Sequence, residues 1–245
     1  PKEEGEAARN SVVMFAGTST RCTCTSSCPA PNSEQSNSEP VMKRAADNAE
    51  ATGTAQDSAR AVRPRPGAIN VKQFYSKSKD EDDLGLGIKD WRKRLSNFWP
   101  CVIVLNGRKY PSVEHAFHAA KAHSSDNPDV AVHFECGGRV GASPEAAKKV
   151  GGRAGFARHG ATLDVAKWAL QRDEATMAAL KARAHADGEY RTILLRTKEL
   201  EVHLLHFERQ ASKSYWGGAV DRASGEIVGV NRLGTMLMEL RESLA

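Results

Sequence analysis

Three side chains in the run PSVEHAFHAAKAH, residues 111–123, have the types and spacing for acid–base or charge-stabilising chemistry. Glu114, His118 and Lys121, separated by four and then three, share one face of a helix, while Val113, Ala116, Phe117 and Ala120 form its apolar stripe. Ser112 is the expected N-cap. It puts Glu114 in the first turn, where free N–H groups and the helix dipole favour an ionised carboxylate. Taken alone, the run reads first as an ordinary helix in which Glu114 stabilises the start and His118 and Lys121 are solvated. Glu and His at helical spacing raise zinc, but HExxH fails because Glu114 precedes His115, and the inverted HxxEH form needs a histidine where Pro111 stands. Neither a metal nor a cofactor is expected.

Other candidates are scattered along the chain. LSNFWP, residues 95–100, is a turn in which the Asn97 amide can hydrogen-bond a ligand while Phe98 stacks on it, or a tight turn with a core aromatic. ELEVHLLHFE, residues 199–208, alternates in part like a strand and ends on the carboxylate of Glu208. SYWGG, residues 214–218, sets the Trp216 indole beside the bare backbone of Gly217, a surface on which a flat ring can stack, unless Trp216 plugs the core. NRLGTMLMELRESL closes the chain as a helix, with Leu233, Leu237, Leu240 and Leu244 on one stripe and Asn231 as the cap. Its free N–H groups, helped by Arg232, could hold an anion.

The elements that must position these residues read as follows. NVKQFY is a first strand, and the charged, Gly-containing residues 76–93 are a surface loop. CVIVL and RKYP flank Asn106-Gly107, the pair favoured by a type I′ hairpin. Ser143, Pro144 and Glu145 open a helix that ends at Gly151 and Gly152. A longer helix over about residues 164–185 has Val165, Trp168, Ala169 and Leu180 among its apolar positions, and another over about 189–196 presents Tyr190, Ile193 and Leu194.

Composition limits all this to the C-terminal three-quarters. Of 7 Phe, 4 Tyr and 4 Trp, residues 1–68 hold only Phe15. That segment buries too little apolar surface to offset its conformational entropy, and it is read as a disordered, low-complexity extension. Its charges balance, so the net charge of +5 belongs to the remainder. The excess is mild and dispersed, which suits a phosphate-bearing small molecule better than a dedicated nucleic-acid platform. The five cysteines include Cys22, Cys24 and Cys28 in the extension, without nearby His to complete a zinc set. A reducing compartment is the default. No apolar run is long enough to span a bilayer, so no membrane partner is expected. Glu3, Glu4 and Glu6 weigh against an organelle transit peptide without closing the question.

LSNFWP, the Tyr-Pro-Ser-x-Glu-His run into Lys121, Ser143-Pro144 leading to Gly151, Trp168, Glu208, WGG and NRLGTMLMELR occur in the order seen in the NADAR superfamily, named for NAD and ADP-ribose. The resemblance covers roughly residues 71–244, and the co-linear set is far more specific than any one motif. It implies an α+β, mostly α-helical, compact single domain over residues 69–245 with a small β-hairpin or sheet, and N-glycosidase chemistry. Members of the family cleave ribose from nitrogen in riboflavin-pathway ribosylamino-pyrimidine phosphates; others remove ADP-ribose from nucleic-acid bases.

Carried over residue by residue, Glu114 matches the acid of the family's Glu-His motif and Lys121 the lysine seven residues on. Trp168 matches the long-helix tryptophan with a one-residue offset, and Glu208, Trp216, Gly217 and Asn231 match the C-terminal motifs. Glu114 and Glu208 are then the catalytic candidates, since a fixed carboxylate can stabilise the positive ribosyl ring or activate water. Trp216 and Phe98 would hold the base or sugar face, and Lys121 would orient Glu114 or bind phosphate. One departure stands out: Lys213 occupies the place of a usual Asp three residues before Trp216. Either Glu114 and Glu208 act alone, or Asp221 or Glu226 folds back into the site, or Lys213 contacts a ligand phosphate. The implied function is hydrolysis of a phosphorylated ribosyl compound. The alternatives are an ADP-ribose or NAD-binding module with little catalysis, and removal of ADP-ribose from nucleic-acid bases.

Overall fold

A computed structural model describes residues 70–244. The expectations for residues 1–68, including Cys22, Cys24 and Cys28, lie outside the described residues. In chain order the elements are β1 (Val71–Phe74), α1 (Trp91–Arg94), β2 (Ile103–Leu105), β3 (Arg108–Tyr110), α2 (Val113–Ala122), a 3-10 stretch (Pro128–Phe134), α3 (Pro144–Val150), α4 (Arg153–Arg158), α5 (Val165–Ala186), α6 (Gly188–Glu199), β4 (His203–His206), β5 (Gly218–Val220), β6 (Ile227–Gly229) and α7 (Arg232–Ser243). The fold is α+β and mostly helical, as the sequence predicts.

Local chemistry explains the boundaries. Asn106 and Gly107 take φ of 51° and 76°, the left-handed pair that a type I′ turn requires between β2 and β3. Ser112 caps α2 in extended conformation, its side chain accepting from the His115 N–H. Asp164 caps α5 through the Lys167 N–H at 2.9 Å. Asp187 ends α5 and caps α6, accepting from the Tyr190 N–H at 3.0 Å.

Strands are short and occur as three pairs. β2–β3 and β5–β6 are antiparallel hairpins, whereas β1 and β4 run parallel, Val71 opposite His203 and Phe74 opposite His206. That parallel pair joins the first described strand to one that follows α6. Helix α2 packs against the 3-10 stretch, α5 and α3, and α7 lies on β4 and α6. Phe74, Trp91, Leu95, Phe134, Tyr190 and Leu194 belong to the core between these layers.

Several expectations are corrected. Residues 76–93 are not simply a surface loop: Leu84 and Trp91 are buried, and the Trp91 indole donates to the Asp82 carbonyl at 2.9 Å. Val165 and Ala169 are exposed, so the first turns of α5 bury Trp168 alone. The strand expected over 199–208 shrinks to β4, because Glu199 completes α6. The region after Gly217 forms a hairpin, β5–β6. Among the described residues no helix is long and apolar enough to cross a membrane.

Candidate active site

Helix α2 is buried on both of its faces, which changes the meaning of Glu114 and His118. Glu114 is 8% exposed and His118 5%. The Glu114 N–H donates to the Asn97 carbonyl at 3.1 Å, and its Oε1 meets His118 Nε2 at 3.1 Å. A carboxylate removed from water in this way needs the donor that the histidine supplies. The expectation of a solvated His118 is therefore overturned. His115 lies behind them, bonded to Ser112 Oγ at 2.8 Å and to the Gly141 carbonyl at 3.0 Å.

Glu114 opens into a cleft of about 570 Å³ that also takes in Asn97, Phe98, Phe117, Glu208 and Trp216. Glu114 and Glu208, from segments far apart in sequence, thus share one chamber with Phe98, Phe117 and Trp216, and Glu145 of α3 lines it as well. The turn carrying Asn97 and Phe98 is held by Arg183 of α5, a fully buried guanidinium that donates to the carbonyls of Ser96, at 2.8 Å, and of Arg94. It lies over the Tyr190 ring at 4.1 Å and within 3.5 Å of Asp187. Sequence reading missed Arg183, because a helical arginine ordinarily signals a solvated face.

Glu208 follows β4 directly, its N–H donating to the Gly218 carbonyl at 3.0 Å. Two residues earlier His206 lines the same cleft, its backbone N–H fixed by Asn231 Oδ1 at 2.9 Å. Burial pushes the His206 imidazole below the ordinary histidine range, against the opposing pulls of Glu208, the Trp216 backbone and Glu114. This ring, also missed in the sequence, feels both candidate carboxylates.

The Trp216 loop is clamped from two sides. The N–H groups of Arg232 and Leu233, at the start of α7, donate to the carbonyls of Tyr215 and Trp216 at 3.2 and 3.1 Å. The Tyr215 hydroxyl bonds both oxygens of Asp173, at 2.8 and 2.9 Å, and the Arg172 guanidinium covers its ring at 3.4 Å. Burial would raise the Asp173 carboxyl, but the bonds from Arg232 and Tyr215 outweigh it and hold the group below its ordinary value.

Of the sequence-predicted site residues, Asn97, Phe98, Glu114, Glu208 and Trp216 line the cleft, and six others do not. The expected anion site at the start of α7 is occupied by the protein itself, as its N–H groups hold the Trp216 loop. Asn231 makes no side-chain cap; its amide bridges to β4, accepting from His206 and donating to the Leu204 carbonyl at 2.9 Å. Arg232 is paired with Asp173 and Glu239, both at 2.8 Å. Trp168 stands behind Phe117, edge to face at 5.2 Å, and Phe117 in turn meets Trp216 at 5.5 Å. Gly217 faces Glu208. Lys121 donates to the Gly151 carbonyl at 2.8 Å; burial lowers its pKa while Glu114 acts in the other direction.

Lys213 is exposed in a short 3-10 turn. Neither Asp221 nor Glu226 replaces the missing acid in the cleft, because both are exposed and Asp221 closes the β5–β6 turn by accepting from Ala223 and Ser224. Among the described residues no group of three or more His, Cys, Asp or Glu side chains could hold a metal ion.

A family model described as the NADAR domain matches residues 74–245. The N-glycosidase YbiA of Escherichia coli (strain K12) is 30% identical over 177 residues, covering 71% of this chain and 89% of that protein. The N-glycosidase YbiA of Shigella boydii serotype 4 (strain Sb227) matches with the same identity and coverage. The NMR structure of the E. coli protein YbiA superposes with a TM-score of 0.50 at 27% identity, covering 72% of this chain and 86% of that one.

Proposed function

The chain belongs to the NADAR domain family, and from that premise we propose that it is an N-glycosidase cleaving the bond between a ribosyl C1′ and a heterocycle nitrogen, with a phosphorylated ribosylamino-pyrimidine of the riboflavin pathway as the leading substrate. The observation that carries this reading is the convergence of Glu114 and Glu208 on one cleft walled by Phe98, Phe117 and Trp216. As the C1′–N bond lengthens, positive charge grows on the ribosyl ring. A carboxylate held in a largely dry site stabilises that charge far better than water would. The second carboxylate accepts a proton from water as the water oxygen bonds to C1′, and the nitrogen departs with the bonding pair and takes up a proton.

The rings offer flat faces to a planar base. Support for a phosphate comes from Lys77, Lys148 and Arg209, which line the cleft from the β1 loop, α3 and the segment after β4. All three are exposed, and none appears among the ion pairs of the described residues. Lys148 extends over the Phe98 ring at 5.7 Å. They bring to the cleft the positive charge that Lys121, Lys213 and the start of α7 do not. Lys213, which stands where the family has an acid, lies outside the cleft lining.

The test is release of free base from ribosylamino-pyrimidine phosphates by purified protein, with ADP-ribosylated guanine in single strands as the competing substrate. Expected is turnover of the first that a Glu114→Gln variant loses by at least about a hundredfold. Release of base from neither substrate, with Glu114→Gln indistinguishable from wild type, would sink the reading. Turnover confined to the second substrate would move it to nucleic-acid de-ADP-ribosylation.

A further inference from the structure

We propose that His118 is a positioning residue for Glu114: an imidazole packed against Gly151 whose Nε2–H fixes one carboxylate oxygen. The inference rests on the reading of Glu114 as the charge-stabilising carboxylate.

The geometry selects the tautomer. His118 Nε2 lies 3.1 Å from Glu114 Oε1, so a proton on Nε2 completes that bond. Nδ1 is buried with no hydrogen-bond partner. A proton there alone would be a donor sealed from both water and acceptors and would leave Glu114 without its donor, so the Nδ1–H tautomer is disfavoured. The seal is Gly151: a Cβ built on it would lie 1.9 Å from Nδ1 and 2.3 Å from Cγ of the ring. Gly151 has φ −73° and ψ −3°, a helical conformation open to any residue. Glycine is therefore required there by the histidine and not by the backbone. Phe134 stacks on the ring at 5.8 Å and Phe117 meets it edge-on at 5.0 Å, which completes the slot.

The same glycine keeps a cation off the carboxylate. The Gly151 carbonyl accepts from Lys121 Nζ, and no hydrogen bond joins Lys121 to Glu114 among the described residues. The titratable groups around His118 are Glu114, His115 and Lys121 on α2, with Glu145 and Lys148 of α3 and His206 and Glu208 lining the same cleft; Phe134 and Gly151, which pack on the ring, carry no charge. The Nε2–H orients Oε1, and among the described residues no hydrogen bond reaches Oε2. A lysine in its place would weaken the negative field that the ribosyl cation needs.

The closing experiment has two arms on the full chain. In the first, nitrogen-15 NMR of the wild-type imidazole at pH 7.5 is expected to show Nε2 carrying a proton; an Nδ1–H tautomer with a bare Nε2 overturns the proposal, whatever the activity. In the second, His118→Gln, which retains a neutral donor, is expected within about threefold of wild-type kcat, whereas His118→Leu and Gly151→Ala each lose about tenfold or more in kcat with KM little changed. In a His118→Ala background Gly151→Ala should have no further effect. Glutamine failing as badly as leucine, or Gly151→Ala acting equally in both backgrounds, overturns the proposal. An inactive wild type refutes the N-glycosidase reading alone, and the tautomer still decides this one.

Discussion

Gly217 lies flat against Glu208: a Cβ on the glycine would stand 2.5 Å from the glutamate Cγ and 2.8 Å from the His206 carbonyl oxygen. The glycine expected to admit a ligand thus admits the Glu208 side-chain stem instead. Gly217→Ala should displace Glu208, with an overpacking cost of about 1–3 kcal/mol and a fall in kcat/KM of about tenfold or more. Base-release kinetics beside urea unfolding separate the two effects; unchanged kinetics would show that Glu208 needs no fixed position.

Asn231 should matter for stability more than for binding. It holds β4 to α7 through two buried bonds, and its φ of 51° lies in the left-handed region that Asn tolerates. Asn231→Ala strands the His206 N–H and the Leu204 carbonyl and should cost about 2–4 kcal/mol by chemical denaturation. Asn231→Asp, which keeps the acceptor and loses the donor, should fall between. An alanine variant of wild-type stability would contradict this account.

The cations at the cleft and Lys213 should behave differently. Lys213→Asp is expected to leave kcat/KM within about twofold, as for other exposed charges away from a site. Lys148→Ala and Arg209→Ala should each raise KM about fivefold to tenfold for a phosphorylated substrate and leave a dephosphorylated one unaffected. Equal losses on both substrates would remove the phosphate assignment.

Stability should rise between pH 5 and pH 7.5. Burial lowers the pKa of both His115 and His206 from the ordinary 6.5, so the unfolded chain binds more protons than the folded one once the pH falls below that value. The stability they contribute is complete above 6.5 and is lost as pH falls toward their folded values. Asp82 and Asp173, held below 3.8, do not titrate in this range. Urea unfolding should show a loss of at least about 1 kcal/mol at pH 5, and a flat profile would contradict the burial of these rings.

What was legible in the sequence was local. Ser112, Asp164 and the Asn106-Gly107 pair each set a boundary through bonds to near neighbours, and the stripes of α6 and α7 fell at helical spacing. What stayed hidden depends on distant partners. Arg183 looks like a surface residue until the Ser96 carbonyl is placed over it. Asn231 looks like a cap until β4 runs beside it. The site roles of Trp168 and Lys121 come from the family resemblance; spacing gives a residue's direction on its helix but not its partner, here Phe117 for Trp168 and the Gly151 carbonyl for Lys121.

The parallel pairing of β1 with β4 also sets a timetable. Tyr75 and Lys77 follow the first strand, while Glu208 and Trp216 follow the last member of that pair, so opposite walls of the cleft hang on a junction between segments made far apart in time. A ribosome-bound chain that has emerged only through α5 carries Glu114 but has no chamber around it. Because contacts so distant in sequence form slowly and late, competence should appear only after α7 has left the exit tunnel, and chains cut short before Asn231 should be inert however well their helices fold.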